Sequence, residues 1–84
     1  MSKIIKHSGS ERELSHIVKT DNGSYYYVDS NDTYDAGYET MAFVYDEKAD
    51  EVASWLEAYV KRYTTAQEMI EGHRYACEHL EELL

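Results

Sequence analysis

The chain has 84 residues, of which 43% are hydrophobic and 13% aromatic, so it can build the core of one small domain and is not expected to be disordered. Its formal net charge is −9. Residues 1–20 hold four basic and two acidic residues, whereas residues 21–84 hold four basic and fifteen acidic ones, a net of −11. Such a domain repels phosphate backbones, so direct nucleic-acid binding is not expected; the charge favours either plain solubility or a protein partner with a basic surface.

Residues 1–13 are the least defined part of the chain. They contain one apolar pair, Ile4 and Ile5, followed by a Ser-Gly-Ser stretch at positions 8–10. This pattern fits either an edge strand or a loose arm, and both interpretations stay open.

A hairpin is predicted from two β-prone runs, residues 14–20 and 24–29, that flank an Asn-Gly dipeptide. Asn-Gly is typical of a type I′ turn, which needs positive φ at both central residues. With this dipeptide (positions 22 and 23) at the centre of the turn, Val18 pairs with Tyr27. One face of the hairpin then shows His16, Val18, Tyr25 and Tyr27.

Residues 30–37 have the composition of a loop, and residues 38–45 are predicted to form a third strand. Alternation along this strand places Glu39, Met41, Phe43 and Tyr45 on one face, and Tyr38, Thr40, Ala42 and Val44 on the other. A charged turn follows at residues 46–51.

Residues 52–63 fit two structures. Their apolar side chains, Trp55 among them, recur at helical steps and favour a helix. Residues 58–63 alone also make a strand that would widen a thin sheet. Composition and spacing leave the two interpretations nearly equal.

The C-terminal segment, residues 65–84, is the clearest prediction. Thr65 and Glu68 fit a capping box at the start of a helix. One face of the helix is apolar and carries Ala66, Met69, Ile70, His73, Ala76, Cys77, Leu80, Leu83 and Leu84. The predicted fold is therefore one α+β domain over residues 1–84, mainly β over 14–63: a small antiparallel sheet of three or four strands, with this amphipathic helix packed on one face.

The expected location is the cytoplasm. No apolar run approaches the roughly 18 residues of a membrane span, and the N-terminal residues lack a signal-peptide apolar region. Cys77 is the single cysteine, which excludes an internal disulfide and suits a reducing compartment.

Three stretches carry a family resemblance: residues 35–43 with a Glu-Thr-Met-x-Phe strand, then Trp55, then a Tyr-x-Thr helix start at residues 63–65 followed by Gly72-His73. In this combination, over roughly residues 21–80, the chain resembles a group of short bacteriophage and prophage proteins. The resemblance implies a phage or prophage origin and hence a host-cell cytoplasm, but it assigns no activity and no catalytic residue. It also implies turn and strand before the helix, which favours a strand at about 58–63.

His73 lies at the middle of the apolar helix face, where an unpartnered polar ring costs about 1–3 kcal/mol. We expect a structural histidine that bonds a strand group such as Thr40 or a tyrosine. The alternative is a metal site, because Cys77 shares the face four residues later and His16 and His79 are available.

Four further residues are assigned structural roles. Gly72 costs a helix interior about 1 kcal/mol relative to alanine, which indicates close approach of a strand, or of a second chain in a homodimer. Met41, Phe43 and Trp55 are the remaining structural assignments.

The chain has more tyrosines than one small core accommodates, so some are expected at the surface, where tyrosine among acids makes good protein-binding surface. Strands also favour tyrosine without any such role. The nominated contact surface comprises Tyr25, Tyr27, Asp32, Tyr34 and Asp35.

No nucleophile–base pair or phosphate loop points to catalysis, and the acidic residues at 29–39 do not follow the EF-hand spacing. We therefore expect no enzyme and no cofactor. The predicted function is that of a small acidic phage-type accessory protein that binds a host or phage protein with a basic surface. The alternative is a metal-binding domain that uses His73, Cys77 and another histidine.

Overall fold

The computed structural model describes residues 1–8, 14–33 and 37–84. In chain order these form β1 (Lys3–His7), β2 (Leu14–Lys19), β3 (Tyr25–Thr33), β4 (Gly37–Asp46), β5 (Glu51–Val52), β6 (Tyr59–Tyr63), α1 (Ala66–Glu78) and α2 (Leu80–Leu83). The strands are antiparallel, in the order β1-β2-β3-β4-β5, and β6 also pairs with β4. The α+β class and the helix on the sheet are confirmed, but six strands replace the three or four predicted.

The additional strands lie at the two edges of the sheet. Residues 3–7 form an edge strand along β2, with Ile4 opposite Val18, so this part of the N-terminal stretch is not a loose arm. Residues 9–13 lie outside the described residues. At the other edge, β5 pairs with the C-terminal end of β4 and β6 pairs with its N-terminal half, where Val60 lies opposite Met41. The strand alternative for residues 59–63 is therefore correct, because this run supplies the hydrogen-bond partners that β4 needs on that side.

The hairpin register differs from the predicted one by a single residue. Ile17 pairs with Tyr27 and Val18 with Tyr26, because Thr20 and Ser24 close a three-residue loop. A type I′ turn would need positive φ at Asn22, but among the loop residues only Gly23 has it, at 86°. The Asn22 side chain instead accepts the Ser24 N–H at 3.1 Å.

Because of this one-residue shift in register, each side chain of one strand lies on the opposite face relative to the side chains of the other strand. We call the sheet face under α1 the covered face; it carries His16, Val18, Tyr26, Val28, Ser30, Thr40 and Ala42. We call the opposite side the open face; it carries Ile17, Tyr25, Tyr27, Met41, Phe43 and Val60. His16 therefore shares its face with Val28 and Ser30, and not with Tyr25 and Tyr27 as the type I′ register would give.

Of the predicted loop at residues 30–37, residues 30–33 and 37 are strand, and residues 34–36 lie outside the described residues. β3 continues to Thr33, where it pairs with Gly37, and Ser30 lies directly opposite Thr40. Composition misled here because these polar residues have cross-strand partners, and context outweighs β-propensity.

The core lies between the covered face and α1. Its fully buried members are Val18, Val28, Ala42, Ala76, Cys77 and Leu80. The predicted cap is present, since Thr65 Oγ1 accepts the Glu68 N–H at 3.1 Å. Three residues assigned to the apolar helix face, Ala66, Ile70 and Leu84, are exposed instead.

The predicted single helix is interrupted at His79. Ser2 bridges the interruption, because its Oγ donates to the Cys77 carbonyl at 2.7 Å and accepts the Leu80 N–H at 2.9 Å. This hydroxyl satisfies backbone groups that the helix leaves without partners at its break. Within the described ranges, no helix is both long and apolar enough to cross a membrane.

Gly72 leaves room for the Tyr63 side chain to pack against the helix. A Cβ at this position would overlap the Tyr63 ring, which packs across the helix from β6. Tyr63 in turn donates a hydrogen bond to Thr40 Oγ1 at 3.1 Å. The strand explanation of this glycine is therefore correct, and the contact is made within one chain.

Candidate functional site

His73 projects from the middle of α1 onto the covered face and is only 3% exposed. Its Nε2 lies 2.8 Å from His16 Nδ1, and its Nδ1 lies 2.6 Å from Ser30 Oγ. Ser30 Oγ is also 2.6 Å from Thr40 Oγ1, which accepts from Tyr63. The predicted tie from His73 to the sheet is therefore present, but Ser30 makes it and Thr40 belongs to the next link.

We use the name histidine centre for five residues: His16, Ser30, Thr40, His73 and Cys77. Two His73 tautomers satisfy its hydrogen bonds: one carries the proton on Nε2, donates to His16 and accepts from Ser30, and the other carries the proton on Nδ1. That proton is donated to Ser30 Oγ, and His73 Nε2 then accepts from His16. Burial of polar groups this deep is tolerated because each one has a partner.

Both imidazoles are neutral at pH 7. Burial lowers the pKa of His73 to about 4, with a smaller contribution from His16. The pKa of His16 is also lowered, first by burial and then by the neighbouring His7. A neutral imidazole offers a lone pair, which a protonated one does not.

Cys77 lies one helical turn after His73 and is 0% exposed. The Cys77 sulfur and the ring nitrogens of His16 and His73 all lie within 4.8 Å of one another. Burial raises the pKa of the Cys77 thiol to about 12, and Glu78 adds to the effect. A thiol of that pKa is protonated and is not a nucleophile.

His79 takes no part in this group. Its ring lies 4.5 Å from the Tyr75 ring, and its Nδ1 is 3.6 Å from Glu82. Of the two histidines considered beside His73 and Cys77, the structure brings only His16 to them.

The open face carries a cluster of three aromatic rings, Tyr27, Phe43 and Trp55, which we call the aromatic cluster. Trp55 meets Phe43 edge-on at 5.1 Å between ring centroids and Tyr27 at 6.4 Å. Tyr27 and Phe43 are stacked at 6.3 Å. Phe43 is buried beneath the other two, and Met41 lies half-buried beside it on β4.

Trp55 lies mostly at the surface although it was assigned a structural role. It is 69% exposed, and the neighbouring Leu56 is 77% exposed. Both belong to the irregular segment between β5 and β6. A cleft of about 270 Å³ adjoins the Trp55 ring; it is lined by Ile17, Tyr27, Tyr45 and Val52 and by the ion pair of Lys6 with Asp50.

The surface nominated from sequence spans both faces of the sheet. Tyr25 and Tyr27 are half-buried on the open face, whereas Asp32 is exposed on the covered face. Asp32 and Tyr27 both line a groove that Met69 and Ile70 of the helix also line. Tyr34 and Asp35 lie outside the described residues.

Sequence reasoning missed Ser30 and Leu56. Ser30 continues the alternation of Tyr26 and Val28 on one face, and that period was the signal that could have identified it. Leu56 belongs to no strand or helix, so no periodicity could have placed it at the surface.

Comparison with known proteins gives no relative. Neither a protein-family model nor a curated protein nor a solved structure matches the chain. The fold and the two sites above therefore carry the functional argument.

Proposed function

We propose that the chain is a small acidic accessory protein of phage type that acts in the cytoplasm by binding another protein through its open face. The observation that carries this proposal is the pair Trp55 and Leu56, two adjacent large apolar side chains that are 69% and 77% exposed. Single exposed apolar residues are ordinary, but two in succession, of which Trp55 lines a cleft, are typical of interaction sites.

Trp55 has the properties of an interface anchor. Tryptophan and tyrosine dominate the binding energy of protein interfaces, especially where they adjoin a recess that the partner fills. The edge contacts with Phe43 and Tyr27 hold the Trp55 ring in place, so little rotamer freedom is lost on binding. Val60, 42% exposed and opposite Met41, extends the apolar area along β6.

Charge selects the class of partner. The chain carries −9, and exposed acidic residues lie near the anchor at Glu51 and Glu57, whereas Asp50 is already paired with Lys6 Nζ at 2.8 Å. A partner surface rich in arginine complements both features, because a guanidinium pairs with carboxylates and stacks on aromatic rings. Nucleic acid is disfavoured by the same charge.

The phage resemblance is compatible with this surface. The Glu-Thr-Met-x-Phe stretch contributes Met41 and Phe43 to the open face. The resemblance assigns no activity, and we propose no catalytic residue.

Site-specific photo-crosslinking tests the proposal. A benzophenone amino acid is placed at Leu56, which is 77% exposed, or at Tyr75, a control on the helix that is 51% exposed, and cells expressing each variant are irradiated. We expect an adduct with one basic protein from position 56 and not from position 75. With that protein purified, Trp55→Ala should weaken binding by about 30-fold, the loss of one interface anchor.

Three results would contradict the proposal. These are the absence of any adduct from position 56, the same adducts from both positions, and an adduct of twice the chain's own mass. The last would identify a homodimer contact and not a separate partner.

A further inference from the structure

Three potential metal ligands meet between α1 and the covered face: two neutral imidazoles and one thiol, with their ligand atoms within 4.8 Å of one another. We propose that His16, His73 and Cys77 bind one divalent transition-metal ion, with zinc as the favoured ion. Nitrogen and sulfur ligands of this kind suit zinc, whereas magnesium and calcium prefer oxygen. The proposal is independent of the open face.

The ligand atoms must rearrange to coordinate an ion. Tetrahedral zinc with bonds of about 2.0–2.1 Å to nitrogen and about 2.3 Å to sulfur holds two nitrogen ligands about 3.3 Å apart and nitrogen and sulfur about 3.6 Å apart. His73 Nε2 and His16 Nδ1 are 2.8 Å apart, and the three ligand atoms lie within 4.8 Å of one another. The two rings must therefore separate by about 0.5 Å and turn so that both lone pairs point to one ion, while the Cys77 sulfur moves closer to them.

Ser30 already orients His73 as a ligand. Metal-bound histidine normally donates its second ring N–H to a neighbouring acceptor, which fixes the tautomer and the ring. Ser30 Oγ, 2.6 Å from His73 Nδ1, is such an acceptor, and its bond to Thr40 anchors it in turn. With the proton on Nδ1, His73 Nε2 carries the lone pair that accepts from His16 and that would bind the ion.

Binding releases one proton. The Cys77 S–H bond breaks, the sulfur keeps the electron pair for the metal, and the proton leaves to solvent. The N–H···N bond between His16 and His73 is replaced by two metal–nitrogen bonds, and the His16 proton moves to its own Nε2. No electron transfer is involved. Three protein ligands leave a fourth tetrahedral position for water, and His16 is only half-buried, so water reaches that side.

Cobalt(II) provides the test because its thiolate complexes absorb through sulfur-to-metal charge transfer. Chelator-treated full-length chain is titrated with Co²⁺, and zinc affinity is then measured by displacement. We expect one ion per chain with a thiolate band. Ser30→Ala should weaken zinc binding by about 10–100-fold, and His16→Gln by at least as much.

Cys77→Ser should abolish the thiolate band, and His79→Gln serves as the control that leaves affinity within about twofold of wild type. Folding of each variant is checked by its amide NMR spectrum. The wild-type chain gives a second readout, since zinc should shift the His73 Nε2 resonance and leave Nδ1 protonated. Absence of a thiolate band in wild type, or equal affinity in wild type and His16→Gln, would overturn the proposal.

Discussion

The two faces of the sheet are covered differently, one by a helix and the other by side chains and an irregular segment. On the covered face, Val18, Val28 and Ala42 are fully buried beneath α1, and a set of polar side chains is buried with them. On the open face, Ile17 and Phe43 are buried too, but only side chains and an irregular segment cover them. The polar groups that the helix buries fully, such as Ser30, Thr40 and His73, must be paired because water does not reach them. An aromatic cover leaves its own outer surface available for binding.

The largest expected effect is a difference in the free energy of unfolding between two Leu→Ala variants, one in the core and one at the surface. Leu80→Ala removes a fully buried side chain from the core and should lower the free energy of unfolding by about 2–5 kcal/mol. Leu56→Ala changes a side chain that is 77% exposed and should alter it by less than about 0.5 kcal/mol. Urea unfolding measures both. Similar losses in the two variants would remove the distinction between a core and a surface side.

Lowering the pH should lower the free energy of unfolding, because His73 is buried on the covered face. His73 has a pKa of about 4 in the folded chain and near 6.5 when unfolded, so the unfolded state binds the proton more readily. The free energy of unfolding is thus highest above pH 6.5 and falls as pH drops toward 4. We expect a loss of about 2 kcal/mol between pH 7.5 and pH 5, measured by urea unfolding with a chelator present.

The matched variant for this pH dependence is His73→Leu, which has no imidazole to protonate at that position. Its unfolding free energy should change much less over the same interval, whatever its stability at pH 7.5. An equal pH dependence in both chains would show that another group titrates.

A smaller effect is expected at Trp55. Trp55→Ala removes edge contacts with two rings and should cost about 1 kcal/mol. Because the chain has one tryptophan, acrylamide quenching of its fluorescence reports this residue alone. Quenching in the native chain should approach that of the urea-unfolded chain. A protected tryptophan would place Trp55 in the core and remove the proposed anchor.

The smallest effect is expected at Gly72. Alanine gains about 1 kcal/mol of helix propensity, but its Cβ displaces the Tyr63 ring and breaks the bond to Thr40. Gly72→Ala should therefore be nearly neutral in the wild-type chain. In a Tyr63→Ala background it should stabilise the fold by about 1 kcal/mol, as thermal unfolding would record. An equal effect in both backgrounds would show that Tyr63 does not occupy this space.

Local rules predicted the start of the helix and the burial of His73. Thr65, Glu68 and the spacing around His73 depend only on neighbours within a turn or two, so propensity and periodicity were sufficient. Gly72 indicated a close approach because nothing else explains a glycine in the middle of a helix.

Propensity and periodicity could not predict the register in which β2 pairs with β3. A three-residue loop in place of a two-residue turn moved His16 onto the face of Ser30 and thereby assembled the histidine centre. That choice depends on Asn22 avoiding positive φ, which the dipeptide itself does not reveal. The exposure of Trp55 was not predicted for a related reason, since its helical spacing had no helix behind it once residues 59–63 paired with β4, although it packs on Phe43 and Tyr27.

The position and protonation of the His73 ring test the account most directly. Long-range ¹H–¹⁵N NMR of the chelator-treated chain, recorded from pH 8 to pH 4, reports the tautomer and the pKa of each histidine. We predict that His73 stays neutral, with its proton on Nδ1, until the pH approaches 4. A ring that exchanges between tautomers and titrates near 6.5 would place His73 in water, and the covered face described here could not exist.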